Sequence, residues 1–409
     1  MLFLLILITG GAFLYNVYVL AALFGVCFFW YILEEKIELL NEAFFKLYLF
    51  LFLFLLLSLY HIFLNGHFST SLPIRFFNFT FAICMLSCLY HEKKSFSEIF
   101  YEDYSILGKI FIIHALACAV LAFFVPQLFT PIPSNENVLR CFYIFFSCRA
   151  SEVNIFIASI PRCMGMFWEP GVLQFFVNIY LFILLFCQKD RQQWLWISLA
   201  VLVVFLTQSI TGILLMMGLC FYYSLKQKKI ISWFILIVSV PVLVYAGIAL
   251  VSQKIFSDDS VNSGSFWTRQ ADALSSISIA LDHPILGIGF DYEDYTYYRS
   301  RLRSDSILFD TDFQWDHGNT NSILTFFYAL GIPLALYIMI QLYRQRFVQK
   351  ERFVFWSLLF ISCMSEPILQ LAFPIMFVFS AMIHDPKHFM DKALTTSPVN
   401  NNAERVYEA

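Results

Sequence analysis

Apolar runs close to the length of a bilayer crossing recur along this chain of 409 residues, and nothing else in it narrows the possible folds so far. A helix needs about 20 consecutive apolar residues to cross the hydrocarbon layer. Helices suit that layer because every backbone N–H and C=O finds its partner inside the segment. Here 60% of residues are hydrophobic and only 13% are charged, against roughly a quarter charged in soluble domains. The expected fold class is therefore an all-α integral membrane protein.

Apolar windows give about twelve transmembrane helices, at 2–15, 17–33, 43–62, 73–90, 105–125, 171–187, 193–207, 210–224, 230–250, 321–342, 352–365 and 367–384. No basic residue precedes the first run, "MLFLLILITGGAFLYN", so a retained span is expected rather than a cleaved leader. Residues 1–396 read as one polytopic membrane domain, and 397–409 as a polar, disordered cytoplasmic tail. The ten cysteines lie mostly inside apolar runs without metal-type pairing, and read as small core residues.

Charge sets the sidedness. With both termini cytoplasmic, 17 of the 26 basic residues fall inside, and the outer nine lie mainly in two long loops, 126–170 and 251–320. Basic residues in short loops stay cytoplasmic, whereas long loops are largely exempt. Twelve of the 13 lysines are inside, yet eight of the nine outer basic residues are arginine. The planar guanidinium matches phosphate oxygens in pairs and does not titrate. That preference points to a phosphate ligand on the outer face; arginines that merely fix loops are the competing reading.

The first loop ends in "IPRCMGMFWEPGVLQ", where Arg162 precedes Glu169-Pro170-Gly171. An acid just before a proline at a helix start is a natural cap, so Glu169 is read equally as a cap and as a cavity residue. In the second loop, Trp267, Ala271, Leu274, Ile277 and Leu281 have helical spacing, which predicts an amphipathic surface helix with Arg269 at its start. "PILGIGF" follows as a Gly-rich turn, too weak a motif for a nucleotide loop. Next, Tyr292, Tyr295, Tyr297 and Tyr298 offer flat faces suited to sugar rings or to a membrane-interface belt. Arg299, Arg301 and Arg303 alternate, and share a face only on a strand.

"WDHGNTNSILTFF" places Asp316, His317, Asn319 and Asn321 at the mouth of an apolar segment. His317 beside Asp316 can serve as a general base oriented by the carboxylate; a hydrogen-bonded loop histidine is the plain alternative. No second ligand stands at metal spacing from it. "LTQSITGILL" is a polar break that turns outward, as does Glu366 between the last two runs. Outer arginines, a base and aromatic faces suit transfer from a lipid-linked pyrophosphate sugar, with the arginines offsetting charge on the departing diphosphate.

Four segments, "RCMGMFWEPG", "LTQSITGIL", "FWTRQADALSSISIALDHPILGIGF" and "HGNTNSILTFFYALGIP", occur in that order over about 160–335. They resemble the bacterial O-antigen polymerase and ligase superfamily (Wzy-like). The resemblance implies a C-type membrane glycosyltransferase of the inner membrane, acting at the periplasmic face without metal or other cofactor. Its substrates would be undecaprenyl-pyrophosphate-linked oligosaccharides, as donor and acceptor, and it leaves room for a chain-length regulator as partner. Carried over, Arg162 and Arg269 would contact pyrophosphate, His317 would activate the acceptor hydroxyl, and Glu169 would line the cavity. Arg299, Arg301, Arg303, Asn321 and Tyr295 complete the expected substrate contacts.

The family pattern is His-Asn, nine residues, then Gly. Asn321 and Gly331 keep the spacing, but Thr320 stands where the histidine belongs, and His317 lies three positions upstream. The base is then His317, Glu169 or Asp316. A polymerase is the expected activity; a ligase transferring the glycan to lipid A core shares the scaffold, and a lipid-linked oligosaccharide flippase is the alternative of a different class.

Overall fold

The computed structural model describes residues 1–11, 17–35, 42–66, 68, 71–92, 94–132, 139–148, 154–155, 158–159, 162–188, 192–227, 260–304 and 319–384. Asp316, His317, the expected span 230–250 and the 397–409 tail lie outside the described residues, as do the side chains of Arg303 and Trp267.

Four described helices are long and apolar enough to cross a membrane: Glu42–Asn65, Leu72–His91, Phe96–Phe124 and Pro170–Cys187. Apolar helices too short for that test follow at Val19–Glu34, Gln193–Thr207, Ile332–Tyr343 and Arg352–Ser365. In chain order the helices are α1 (Leu2–Gly10), α2 (Val17–Glu35), α3 (Phe45–Asn65), α4 (Ser71–His91), α5 (Phe96–Phe124), α6 (Pro170–Phe182), α7 (Gln193–Thr207) and α8 (Ile210–Gln227). After them come α9 (Ser260–Asp282), α10 (Tyr292–Ser304), α11 (Ser322–Leu330), α12 (Ile332–Tyr343), α13 (Arg352–Ser365) and α14 (Ala372–Ser380).

Several boundaries moved from the sequence reading. In the 2–15 run the described helix covers nine residues, Leu2–Gly10, and ends at an extended Gly11. α5 starts nine residues early, because Ser95 and Glu98 form a reciprocal capping box ahead of the apolar stretch. The 321–342 run is two helices, since Gly331 at φ 78 ends α11 and Pro333 starts α12.

α6 is the bundle's axis. All thirteen of its residues are buried, Gln174 and Asn178 among them, as expected of a mostly apolar helix enclosed on every side. α3 instead leaves Phe45, Phe52, Leu56 and Phe63 exposed, a surface suited to lipid. Gly108 of α5 lets the Tyr180 ring lie against its bare backbone, bringing α5 close to α6.

The first loop is not the featureless connection expected of an all-α chain. It carries a four-stranded antiparallel sheet, ordered β1 (Thr130–Ile132), β2 (Leu139–Phe142), β3 (Phe145–Cys148), β6 (Arg162–Gly165), and a small pair, β4 (Asn154–Ile155) and β5 (Ala158–Ser159). "CFYIFFSC" is too short to cross a bilayer but rich in strand-favouring aromatics. It folds back at Tyr143 (φ 52), pairing Phe142 with Phe145. The sheet ends against α5: Cys118 Sγ lies 2.9 Å from Phe146 O, and Cys163 Sγ lies 3.2 Å from Ala115 O.

In the second loop the expected helix forms as α9, but it starts at Ser260, so Arg269 is its tenth residue rather than near its start. Of the expected apolar face Ala271 turns inward while Leu274, Ile277 and Leu281 turn outward, and Asp272, Ser275, Ser276 and Ile279 are buried. Asn319 and Thr320, just before α11, supply partners for Ser276 and Asp272 on the inward face, while Ser275 Oγ has none among the described residues. "PILGIGF" then closes over the α11–α12 break. Ile288 N and Gly289 N donate to the carbonyls of Tyr328 and Ala329 at 2.9 and 3.0 Å, and Ile332 N donates to Pro284 O at 2.8 Å. The Gly-rich turn therefore caps the last carbonyls of α11.

Candidate functional site

Both long loops and two helix breaks meet at one end of α6. β6 delivers Arg162, and three residues further Gly165 (φ 61) lets the strand turn toward α6. Arg162 Nε donates to Thr207 O at 3.2 Å. Thr207 is the last residue of α7, where a cation meets the negative end of the helix. One nitrogen of this guanidinium thus has a structural tie to "LTQSITGIL".

Glu169 precedes Pro170 at the start of α6, but its side chain makes no capping bond. It faces Glu366 instead. Burial pushes the Glu169 carboxyl up to about 9, helped by the charge of Glu366 and a hydrogen bond to it, and opposed by Arg269 and Arg162. Two carboxyl groups this close hold a proton between them near neutral pH.

Glu366 reaches the site from the turn between α13 and α14. Ser322, the first residue of α11, fixes that turn: its Oγ lies 2.7 Å from Cys363 O and 2.9 Å from Glu366 O, and it accepts from Leu369 N at 3.2 Å. The Glu366 side chain is only 5% exposed, and its Oε1 lies 3.4 Å from Nη2 of Arg269, which is 42% exposed. The carboxylate sits over Gly171, where an added Cβ would overlap it.

Arg269 and the buried Asp272 share α9. Asp272 is wholly buried, and its Oδ1 lies 3.1 Å from Nη1 of Arg299, itself 11% exposed. Its Oδ2 accepts from both N and Oγ1 of Thr320, at 3.1 and 3.0 Å. Burial raises the Asp272 carboxyl, while Arg299 and Thr320 pull it down. Asn319 Nδ2 donates to Ser276 Oγ at 2.6 Å. Threonine in the expected histidine position therefore ties the segment after His317 to the arginine-bearing helix.

The remaining expected contacts divide. α10 is helical, so Arg299 and Arg301 do not share a face: Arg299 turns in to Asp272, and exposed Arg301 lies over the Tyr297 ring. Tyr295 is buried, its ring stacked on Tyr328 at 4.8 Å, so it offers no open face to a sugar. Asn321 is a helix cap, its Oδ1 accepting from Leu324 N at 3.0 Å.

Sequence reasoning missed Asp272, although an acid three residues after Arg269 in "RQAD" places both on one helix side. It noted Glu366 without pairing it with Glu169, because nothing local links residues 197 positions apart. Polar groups also run into α6: Asn178 Nδ2 donates to Gln174 Oε1 at 2.9 Å and to Gly212 O at 3.1 Å. Gln174 Nε2 is buried without a partner among the described residues.

No family model, curated protein or solved structure matches the chain. The membrane character rests on its long apolar helices, and the reading of the site rests on its geometry.

Proposed function

We propose that the chain is an O-antigen polymerase, a C-type glycosyltransferase with twelve crossings of the bacterial inner membrane and its site facing the periplasm. It transfers a glycan from undecaprenyl pyrophosphate to the non-reducing-end sugar of another lipid-linked repeat unit. The observation that carries the reading is the convergence of Arg162 and Arg269, from two separate loops, on the Glu169–Glu366 pair.

Two arginines at one point suit a leaving diphosphate, whose negative charge grows as the glycosyl–oxygen bond breaks. Arg269 is open to solvent and loosely held, so it is available to a phosphate. The Glu169–Glu366 pair holds a proton between its carboxyls near neutral pH, which gives Glu169 the role of donor rather than base. His317, upstream of the Thr320–Asp272 tie, keeps the role of accepting the proton of the attacking hydroxyl.

The test is reconstitution of the purified protein with lipid-linked repeat units and no lipid A core. Longer lipid-linked chains support the polymerase. Transfer only after lipid A core is added makes it a ligase, and movement of unaltered repeat units across the bilayer makes it a flippase.

A further inference from the structure

Arg269 is paired with Glu366. The contact is 3.4 Å long with the arginine 42% exposed, well beyond the 2.7–2.9 Å of a strong charge-assisted bond. A phosphate arriving from solvent can compete for such a guanidinium. Glu366 cannot follow, because its side chain is 5% exposed, lies over the bare backbone of Gly171, and springs from a turn held by Ser322.

The charged groups around the Glu169–Glu366 pair come from four elements. Glu169 stands before α6, Arg269 on α9 and Arg162 on β6, and Arg75 of α4 is bonded to Gln370 in the same turn, at 3.1 Å. Asp272 lies along α9 but is engaged by Arg299 and Thr320. Once Arg269 turns to a ligand, Glu366 is left beside a second carboxyl group and an incoming anion. A buried carboxylate without its cation is costly, and taking a proton relieves the cost.

We infer that anion binding here displaces Glu366 from Arg269 and is coupled to uptake of one proton by the Glu169–Glu366 pair. The inference rests on the reading of the site as one for a diphosphate. Because the liganded state holds the extra proton, affinity rises as pH falls. Gln174, further along α6, has a buried Nε2 donor with no partner among the described residues, available to a carboxyl oxygen or a water that rearranges with the pair.

The experiment uses the full chain in lipid nanodiscs with inorganic pyrophosphate as probe. Calorimetry in buffers of different ionisation enthalpy counts the protons taken up per pyrophosphate. Pyrophosphate itself titrates, so the count is the difference between the wild type and Glu366→Gln. The wild type should take up about one proton more near neutral pH, and its affinity relative to the variant should approach a roughly tenfold gain per pH unit lowered. Infrared difference spectra of the wild type alone should show a protonated-carboxyl band growing on pyrophosphate addition. Binding with equal counts in the two proteins, or binding to the wild type with no such band, overturns the coupling and leaves the diphosphate site standing. Absence of pyrophosphate binding to the wild type overturns both.

Discussion

The carboxylate of Glu366 occupies the space that a side chain at Gly171 would need. A glycine in the first turn of α6 is thereby tied to an acid from a turn 195 residues later, and the approach permits the Glu169–Glu366 contact. Gly171→Ala should push the Glu366 carboxyl aside, disturb its contacts with Glu169 and Arg269, and cut polymer formation roughly tenfold or more. Gly218, whose missing Cβ would meet nothing within 4 Å, is the control, and Gly218→Ala should leave activity unchanged. Polymer length distributions from the two variants at matched protein level check this.

The raised Glu169 carboxyl makes stability depend on pH. Its ordinary value is 4.5 and its folded value about 9, so between these the folded chain binds a proton that the unfolded chain lacks. The contribution of this carboxyl to stability is then full below about 4.5 and declines as pH rises toward 9. Thermal unfolding in detergent should show this fall, and Glu169→Gln should flatten it. An unchanged slope in the variant would remove Glu169 as its source.

Asp272 is wholly buried against Arg299. Removing one partner of a buried pair costs about 3–5 kcal/mol, because the other is left uncompensated. Asp272→Ala and Arg299→Ala should each destabilise on that scale, and the double variant by less than the sum. Thr320→Val removes one bond to a charged acceptor and should cost about 1.5–3 kcal/mol. Chemical denaturation in detergent measures all four.

The arginines should separate by function. Arg269→Ala should abolish polymer formation at normal protein level, since its contact with Glu366 is exposed and weak. Arg162→Ala should do the same and also cost about 0.3–1 kcal/mol at the α7 terminus. Arg301, exposed over Tyr297, should tolerate alanine with no more than a twofold change. Full-length ladders from Arg269→Ala would withdraw it from the site.

Much of the site was legible because its residue types are rare in their surroundings. Arg162, Glu169 and Arg269 stand out in a chain with so few charges, and all three lie in or at the end of the two long loops. Tyr295 and Asn321 misled for a related reason: aromatic and amide groups bind sugars, but they also pack and cap helices. Ring stacking on Tyr328 and the bond from Leu324 N are tertiary and local details that composition does not distinguish from ligand contacts.

By itself the sequence determined the helical character and the runs long and apolar enough to cross a membrane, since such runs leave their backbone groups no other partner in a bilayer, and it determined which loops are rich in arginine. Only the tertiary structure decided that the buried face of α9 is polar, that a sheet carries Arg162, and that Glu366 meets Glu169. Periodicity reports which side chains share a face of one element; it carries no information on whether that face meets lipid, water or a matching set of hydrogen-bond donors from elsewhere in the chain.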